Sequence, residues 1–168
     1  QSPDYQMEDI LLLARSASEG QPGLLPAFLT HLGHKDPLLR YWAICGIFIL
    51  QDQTEEVQEA LRLVAGKDPI AANRLMAAQA LGVCGDPDTA FEVIYREVSQ
   101  TQRQYVFLQG INAFQYSRTD NRLSREDWEG FKARSWPGTE QTDPFGSEYA
   151  LRIINDALEF WPERTKVY

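Results

Sequence analysis

Apolar residues along this chain recur at three- and four-residue intervals, the spacing that lines one face of an α-helix. Ile10, Leu11, Leu13, Ala14 and Ala17 predict a first helix over about 4–18, with Gly20 as its stop. Leu24, Leu25, Phe28, Leu29 and Leu32 predict a short second helix over 22–32, ended by Gly33. Asp36-Pro37 then supplies an N-cap carboxylate and a first-turn proline that has no amide to leave unpaired. The helix that follows, to about residue 51, is apolar nearly all round, as expected of a helix inside a stack.

The same order of signals returns twice. Thr54-Glu55-Glu56 opens a helix with acid at its positive end, and Val57, Leu61, Val64 and Ala65 give it an apolar face before Gly66. Asp68-Pro69 is expected to open its partner, running to about Val83. Asp86-Pro87-Asp88 opens a helix through about Val98, and its partner spans about 102–116. Within the second helix of each pair one phrase recurs, starting at Arg40, at Arg74 34 residues later, and at Phe107 another 33 on. Each copy places a small residue (Ala43, Ala77, Gly110) before an apolar one, and another small residue (Gly46, Ala80, Ala113) before a larger apolar one. Repeats of this length cannot bury a hydrophobic face alone and must stack on their neighbours. Glycine in a helix interior costs about 1 kcal/mol relative to alanine, so Gly46 and Gly110 are expected where helices approach closely. The fold predicted is all-α: helical hairpins stacked into an α-α superhelix, one helical-repeat domain over 1–168 with its three hairpins in 22–116.

After Tyr116 the pattern breaks. Ser124, with Asp127 three residues on, reads as the start of a short helix to about Arg134, a weak form of the capping box. Residues 135–146 read as an irregular loop, and 147–160 as a last helix that caps the stack.

Composition narrows the function classes. The chain has 168 residues, 43% hydrophobic and 24% charged, and a net charge of −8 with no Lys/Arg cluster, which argues against nucleic acid as its partner. No apolar run reaches the length of a membrane span. No signal peptide is visible, and the start at Gln1 reads as a processed protein or an excised domain. Cys45 and Cys84 make neither a disulfide framework nor a zinc site and are expected as buried thiols.

Residues 22–116 resemble HEAT repeats, through the Asp-Pro openers, the arginine in two of three copies and the small-apolar inner helix. More narrowly, Asp36-Pro37-Leu38-Leu39-Arg40-Tyr41-Trp42-Ala43 followed by Gly46 resembles the HEAT-like extension after the catalytic domain of many bacterial sulfatases, those related to N-sulphoglucosamine sulphohydrolase nearest. Ile111-Asn112-Ala113-Phe114 is similar to the asparagine-bearing inner helix of the same extensions. The resemblance implies a HEAT-like solenoid and a periplasmic or extracellular parent; without it the chain reads as cytoplasmic. It implies no catalysis here. Sulfatases need a Cys/Ser-x-Pro-x-Arg motif and acidic calcium ligands, and neither Cys45-Gly46-Ile47 nor Cys84-Gly85-Asp86 matches. The structural repeat positions are Asp36, Arg40, Trp42, Gly46, Asp68, Arg74, Ala77, Gly110 and Asn112.

Other candidates are weak. His31 and His34 are three apart but separated by Gly33 with no third ligand, so structural or solvent-facing roles are expected. Asp36 stands four residues before Arg40, a spacing that favours an ion pair over an anion site at the arginine. Trp128, Trp136 and Phe145 with Asp143 (and Glu140 and Trp161 nearby) can form an aromatic platform for a sugar or partner, or simply pin the loop. Glu126, Asp127 and Glu129 read as a solvated helix face. The function expected is a non-catalytic accessory domain without a cofactor or metal. Its partner is a sulfatase catalytic domain of the same chain or another protein, and it serves packing, cleft-shaping or oligomerisation. A stand-alone interaction scaffold is the alternative, and a small hydrolase built on the 117–146 segment a third reading.

Overall fold

The computed structural model describes residues 7–134 and 144–159, and these are helical without a strand. The helices are α1 (Met7–Glu19), α2 (Leu25–His31), α3 (Pro37–Leu50), α4 (Glu55–Lys67), α5 (Ala71–Val83), α6 (Pro87–Gln100), α7 (Gln104–Tyr116), α8 (Arg125–Arg134) and α9 (Pro144–Glu159). Helices α1, α3, α5, α7 and α9 touch in succession and form an inner row. Helix α2 packs on α3, α4 on α5, α6 on both α5 and α7, and α8 on α9. Each predicted hairpin is therefore present as a packed pair, and one continuous apolar core runs from Ile10 to Ala157.

Most boundaries follow from local chemistry. Asp36 accepts a hydrogen bond from the Leu38 amide at 2.8 Å, and Asp86 accepts one from Thr89 at 3.1 Å, so both Asp-Pro openers cap as expected. Asp68-Pro69 does not. Helix α5 starts at Ala71 with Ile70 at its N-cap, and the Asp68 carboxylate folds back on the Ile70 amide at 2.8 Å. Ser124 and Asp127 form the reciprocal capping box: Ser124 Oγ accepts from the Asp127 amide at 3.0 Å, while Asp127 accepts from the Ser124 amide at 2.7 Å. Residues 22–24, expected as helix, form a 3-10 turn leading into α2. Helix α9 begins at Pro144, three residues before the expected start, so Phe145 lies in its first turn and not in a loop.

The small residues of the repeated phrase sit at contacts. Ala43 and Ala77 are fully buried. A methyl group on Gly46 would lie 2.6 Å from the Phe28 ring, so only glycine lets α2 and α3 meet there. Gly110 is likewise pressed against Val98 of α6. Gly82, which the repeat does not mark, is closed off by the backbone of Ser117.

Candidate interaction face of the inner helices

The repeated phrase builds two things, a joint between successive helix pairs and a face on the inner row. The joint starts with Arg40. Its guanidinium donates through Nε to Asp68 Oδ2 at 2.6 Å and through Nη2 to Asp68 Oδ1 at 3.0 Å, a two-bond clasp to the next helix pair. Asn73 donates to the same carboxylate at 3.2 Å and to the Pro37 carbonyl at 3.1 Å. The partner expected from local spacing, Asp36, is occupied instead by its cap. Arg74, one repeat later, clasps Glu97 of α6 in the same way, with both bonds 2.7 Å.

Burial pushes the Asp68 and Glu97 carboxyls up and is the largest single influence, but the arginine hydrogen bonds and charges, with Ile70 and Asn73 at Asp68 and Arg96 at Glu97, together hold both below the ordinary carboxylate range. The hydrogen bonds to Asp68 and Glu97 in turn raise Arg40 and Arg74.

A guanidinium also satisfies the carbonyl six residues before each copy of the phrase. Arg40 donates to the His34 carbonyl at 2.8 Å, and Arg74 to that of Asp68 at 2.8 Å. The third copy begins with Phe107 and has no arginine to give. There Arg134, from α8, reaches back to the Thr101 carbonyl at 3.0 Å and to Val98 at 2.8 Å. Phe107 instead meets Phe131 of α8 edge-on at 6.2 Å, beside the stacked Phe114–Phe131 pair.

Two surface hollows lie along the turn edge, one of about 280 Å³ over Arg40 and Asp68 and one of about 520 Å³ over Arg74 and Glu97. Both arginines on their floors are already committed to carboxylates.

The inner face is the second product. Positions 38, 42, 45 and 49 share one side of α3 by helical periodicity, and the phrase carries them to 72, 76, 79, 83 on α5 and 105, 109, 112, 116 on α7. Those positions hold Leu38, Trp42, Cys45 and Ile49; then Ala72, Met76, Gln79 and Val83; then Tyr105, Gln109, Asn112 and Tyr116. None is charged. Arg40 and Arg74 are the only charged residues in α3, α5 and α7, and both are turned into the joints.

The middle helix is recessed: Met76 is 7% exposed and Val83 9%, whereas Leu38 and Ile49 are 42% and 46%, and Tyr105 and Tyr116 62% and 60%. The result is a shallow trough with α5 as floor and α3 and α7 as walls. Gln109 donates to the Ala72 carbonyl at 3.0 Å and Asn112 to Leu108 at 3.1 Å, which fixes both amide groups in place.

The remaining candidates fall elsewhere. Trp128 is not a platform for a ligand: it is 1% exposed and packs edge-on against Phe131 at 6.1 Å inside the core. Trp136, Asp143, Glu140 and Trp161 lie outside the described residues. Glu126 and Glu129 are exposed, whereas Asp127 is drawn into the capping box and accepts from Tyr95 at 2.8 Å. His31 donates through Nδ1 to the Ala27 carbonyl at 2.7 Å, and His34 Nδ1 accepts from the Asp36 amide at 3.0 Å. Among the described residues no cluster of three or more His, Cys, Asp or Glu is placed to hold a metal ion. None of the described helices is long and apolar enough to cross a membrane. Both cysteines are free thiols; Cys84 is buried and Cys45 half-buried beside Tyr41.

The inner face was within reach of the sequence. Its signal is the absence of charge from the surface positions of α3, α5 and α7, with exposed tyrosines on α7, a pattern visible once the repeat register is applied to surface positions as well as to core ones. In comparison with known proteins, no protein-family model matches the chain, and no curated protein or solved structure does.

Proposed function

We propose that this chain is a non-catalytic, HEAT-like helical-repeat scaffold whose working surface is the inner face of α3, α5 and α7. The observation that carries this reading is the charge-free trough with exposed tyrosines on a chain of net charge −8. Exposed apolar and aromatic residues gathered on one side of a protein mark contact with another polypeptide more often than packing defects. The acids and arginines of the joints support a structural role for these charged groups, since each is consumed in a clasp or a cap.

The test is site-specific photocrosslinking in the native cell. A benzoylphenylalanine in place of Tyr116 should capture a defined polypeptide, and one in place of Glu59, exposed on α4, should not. Equal capture from both positions, or none from Tyr116, rejects the reading.

The accessory-domain form of this proposal rests on the Arg40-Tyr41-Trp42-Ala43 string, in which Trp42 lies on the trough and Arg40 in the joint. In that form the partner is a sulfatase catalytic domain, in the same chain or another, and the compartment is periplasmic or extracellular. Sequencing the full open reading frame decides it: a formylglycine-type Cys/Ser-x-Pro-x-Arg motif upstream supports it, and a frame without such a domain rejects it in the same-chain form.

A further inference from the structure

We propose that the trough on α3, α5 and α7 takes a short, uncharged polypeptide segment in extended conformation, laid across the three helices with its backbone over Gln79, Gln109 and Asn112. This rests on the reading of the inner face as the working surface and adds the kind of partner it fits.

Size decides against a second globular copy. Tyr105 to Tyr116 spans three helical turns, about 16 Å at 1.5 Å per residue. Three neighbouring helices at about 8–10 Å spacing span about 20 Å. The trough is thus roughly 300 Å² in plan, less than half of the ~800 Å² per partner in a stable dimer of globular proteins. An extended segment crossing it needs about six residues at ~3.3 Å each.

Charge decides the composition. A lysine or glutamate set into the trough would lose water and meet no opposite charge from its own helices, because α3, α5 and α7 hold none outside their joints. Apolar and aromatic side chains meet Leu38, Ile49, Tyr105 and Tyr116 along the walls.

The amides decide the conformation. Gln109 and Asn112 each use one amide hydrogen within the protein, which leaves the carbonyl and the other hydrogen for a ligand. Half-buried Gln79 brings a third amide at the level of Asn112. A side-chain amide matches a peptide group, donor to acceptor and acceptor to donor. An α-helix has already paired its backbone and would cover these amides without answering them, at a cost of about 1–3 kcal/mol for each group left unpaired. An extended backbone presents unpaired groups at the right height, with alternate side chains turned to the walls.

The experiment selects peptides from a random phage-displayed library of roughly twelve residues on the full 168-residue chain. It then measures the best synthetic peptide by fluorescence anisotropy. The expected winners share a charge-free core of about six residues with apolar residues at alternate positions. Their Kd should change less than about twofold between roughly 50 and 500 mM NaCl. N-methylation of the two central backbone amides should weaken binding about tenfold or more. Tyr116→Ala should do the same; because this residue is more than half exposed, the variant should melt with the wild type.

Charged winners with salt-dependent affinity, indifference to N-methylation, or indifference to the tyrosine variant would each overturn the proposal, as would no enrichment at all. A wild-type dimer in sedimentation that the tyrosine variant abolishes would assign the trough to a second copy instead. Crosslinking from position 116 together with any of these outcomes leaves the scaffold reading standing and removes only the extended-segment one.

Discussion

Arg40 and Asp68 stand 28 residues apart and are joined by two hydrogen bonds, with the carboxylate side chain only 3% exposed and the arginine 10%. The pair fastens one helix pair to the next, and it explains why the arginine belongs to the repeated phrase. Arg40→Ala leaves a buried carboxylate without its counter-charge and should cost about 3–5 kcal/mol. The melting temperature should fall on the order of 10 °C. The double replacement Arg40→Met with Asp68→Leu should lose markedly less than either single change, because no buried charge remains. Thermal melts of the three variants check this, and simple additivity of the two single losses would refute it.

Gly46 and Gly130 give opposite outcomes for the same change. Gly46→Ala pushes a methyl group into the Phe28 ring, 2.6 Å away, and should destabilise by about 1–3 kcal/mol. Gly130, inside α8, has nothing within 4 Å of that methyl, so Gly130→Ala should stabilise by about 0.5–1 kcal/mol through helix propensity alone. Urea titrations of both variants read the two signs directly.

Acid should weaken the fold through its clasps. Asp68 and Glu97 are held below their ordinary values of 3.8 and 4.5, so the folded state binds fewer protons than the unfolded one in that region. Their contribution is fully present above about pH 5 and is lost as pH falls through the lowered folded values. Melting temperature should therefore be level from neutral pH to about 5 and fall steeply below 4. In Asp68→Asn the acid slope should be shallower, measured by melts across that range.

The thiols should resist alkylation. Burial raises both Cys45 and Cys84 to about 11, which leaves roughly a thousandth as thiolate at pH 8. Iodoacetamide should label the native protein far more slowly than a model thiol, Cys84 more slowly than half-buried Cys45, and both should react at once in denaturant. Mass spectrometry of a labelling time course measures this.

Much of the helix pattern was legible because its signals are local: a carboxylate two or three residues before the amide it caps, an apolar residue every third or fourth position. Asp36, Asp86 and the Ser124–Asp127 box cap their helices as those local signals predict. Asp68 departs from its local signal for the same reason. Its Asp-Pro spelling matches the other openers, and only a guanidinium 28 residues away reveals that the carboxylate faces backward into a joint. Arg40 was recognised as paired but assigned to the nearest acid, since a spacing rule cannot see across a helix pair. Trp128 shows the limit from the other side: beside Glu126 and Glu129 it reads as surface, yet the ring is buried and packs edge-on against Phe131. The scaffold reading implies an exposed groove on the inner helices, but the core periodicity alone does not say which surface positions line it.

The substitution of Phe107 for arginine gives the chain a polarity in how it comes apart. The first two joints are closed by arginine–carboxylate clasps, whereas the third is closed mainly by rings and by Arg134 on backbone carbonyls, with Asp127 contributing only a hydrogen bond from Tyr95. Acid below about pH 4 should therefore weigh more on the two arginine clasps than on the third joint, where Phe107, Phe114 and Phe131 pack without charge.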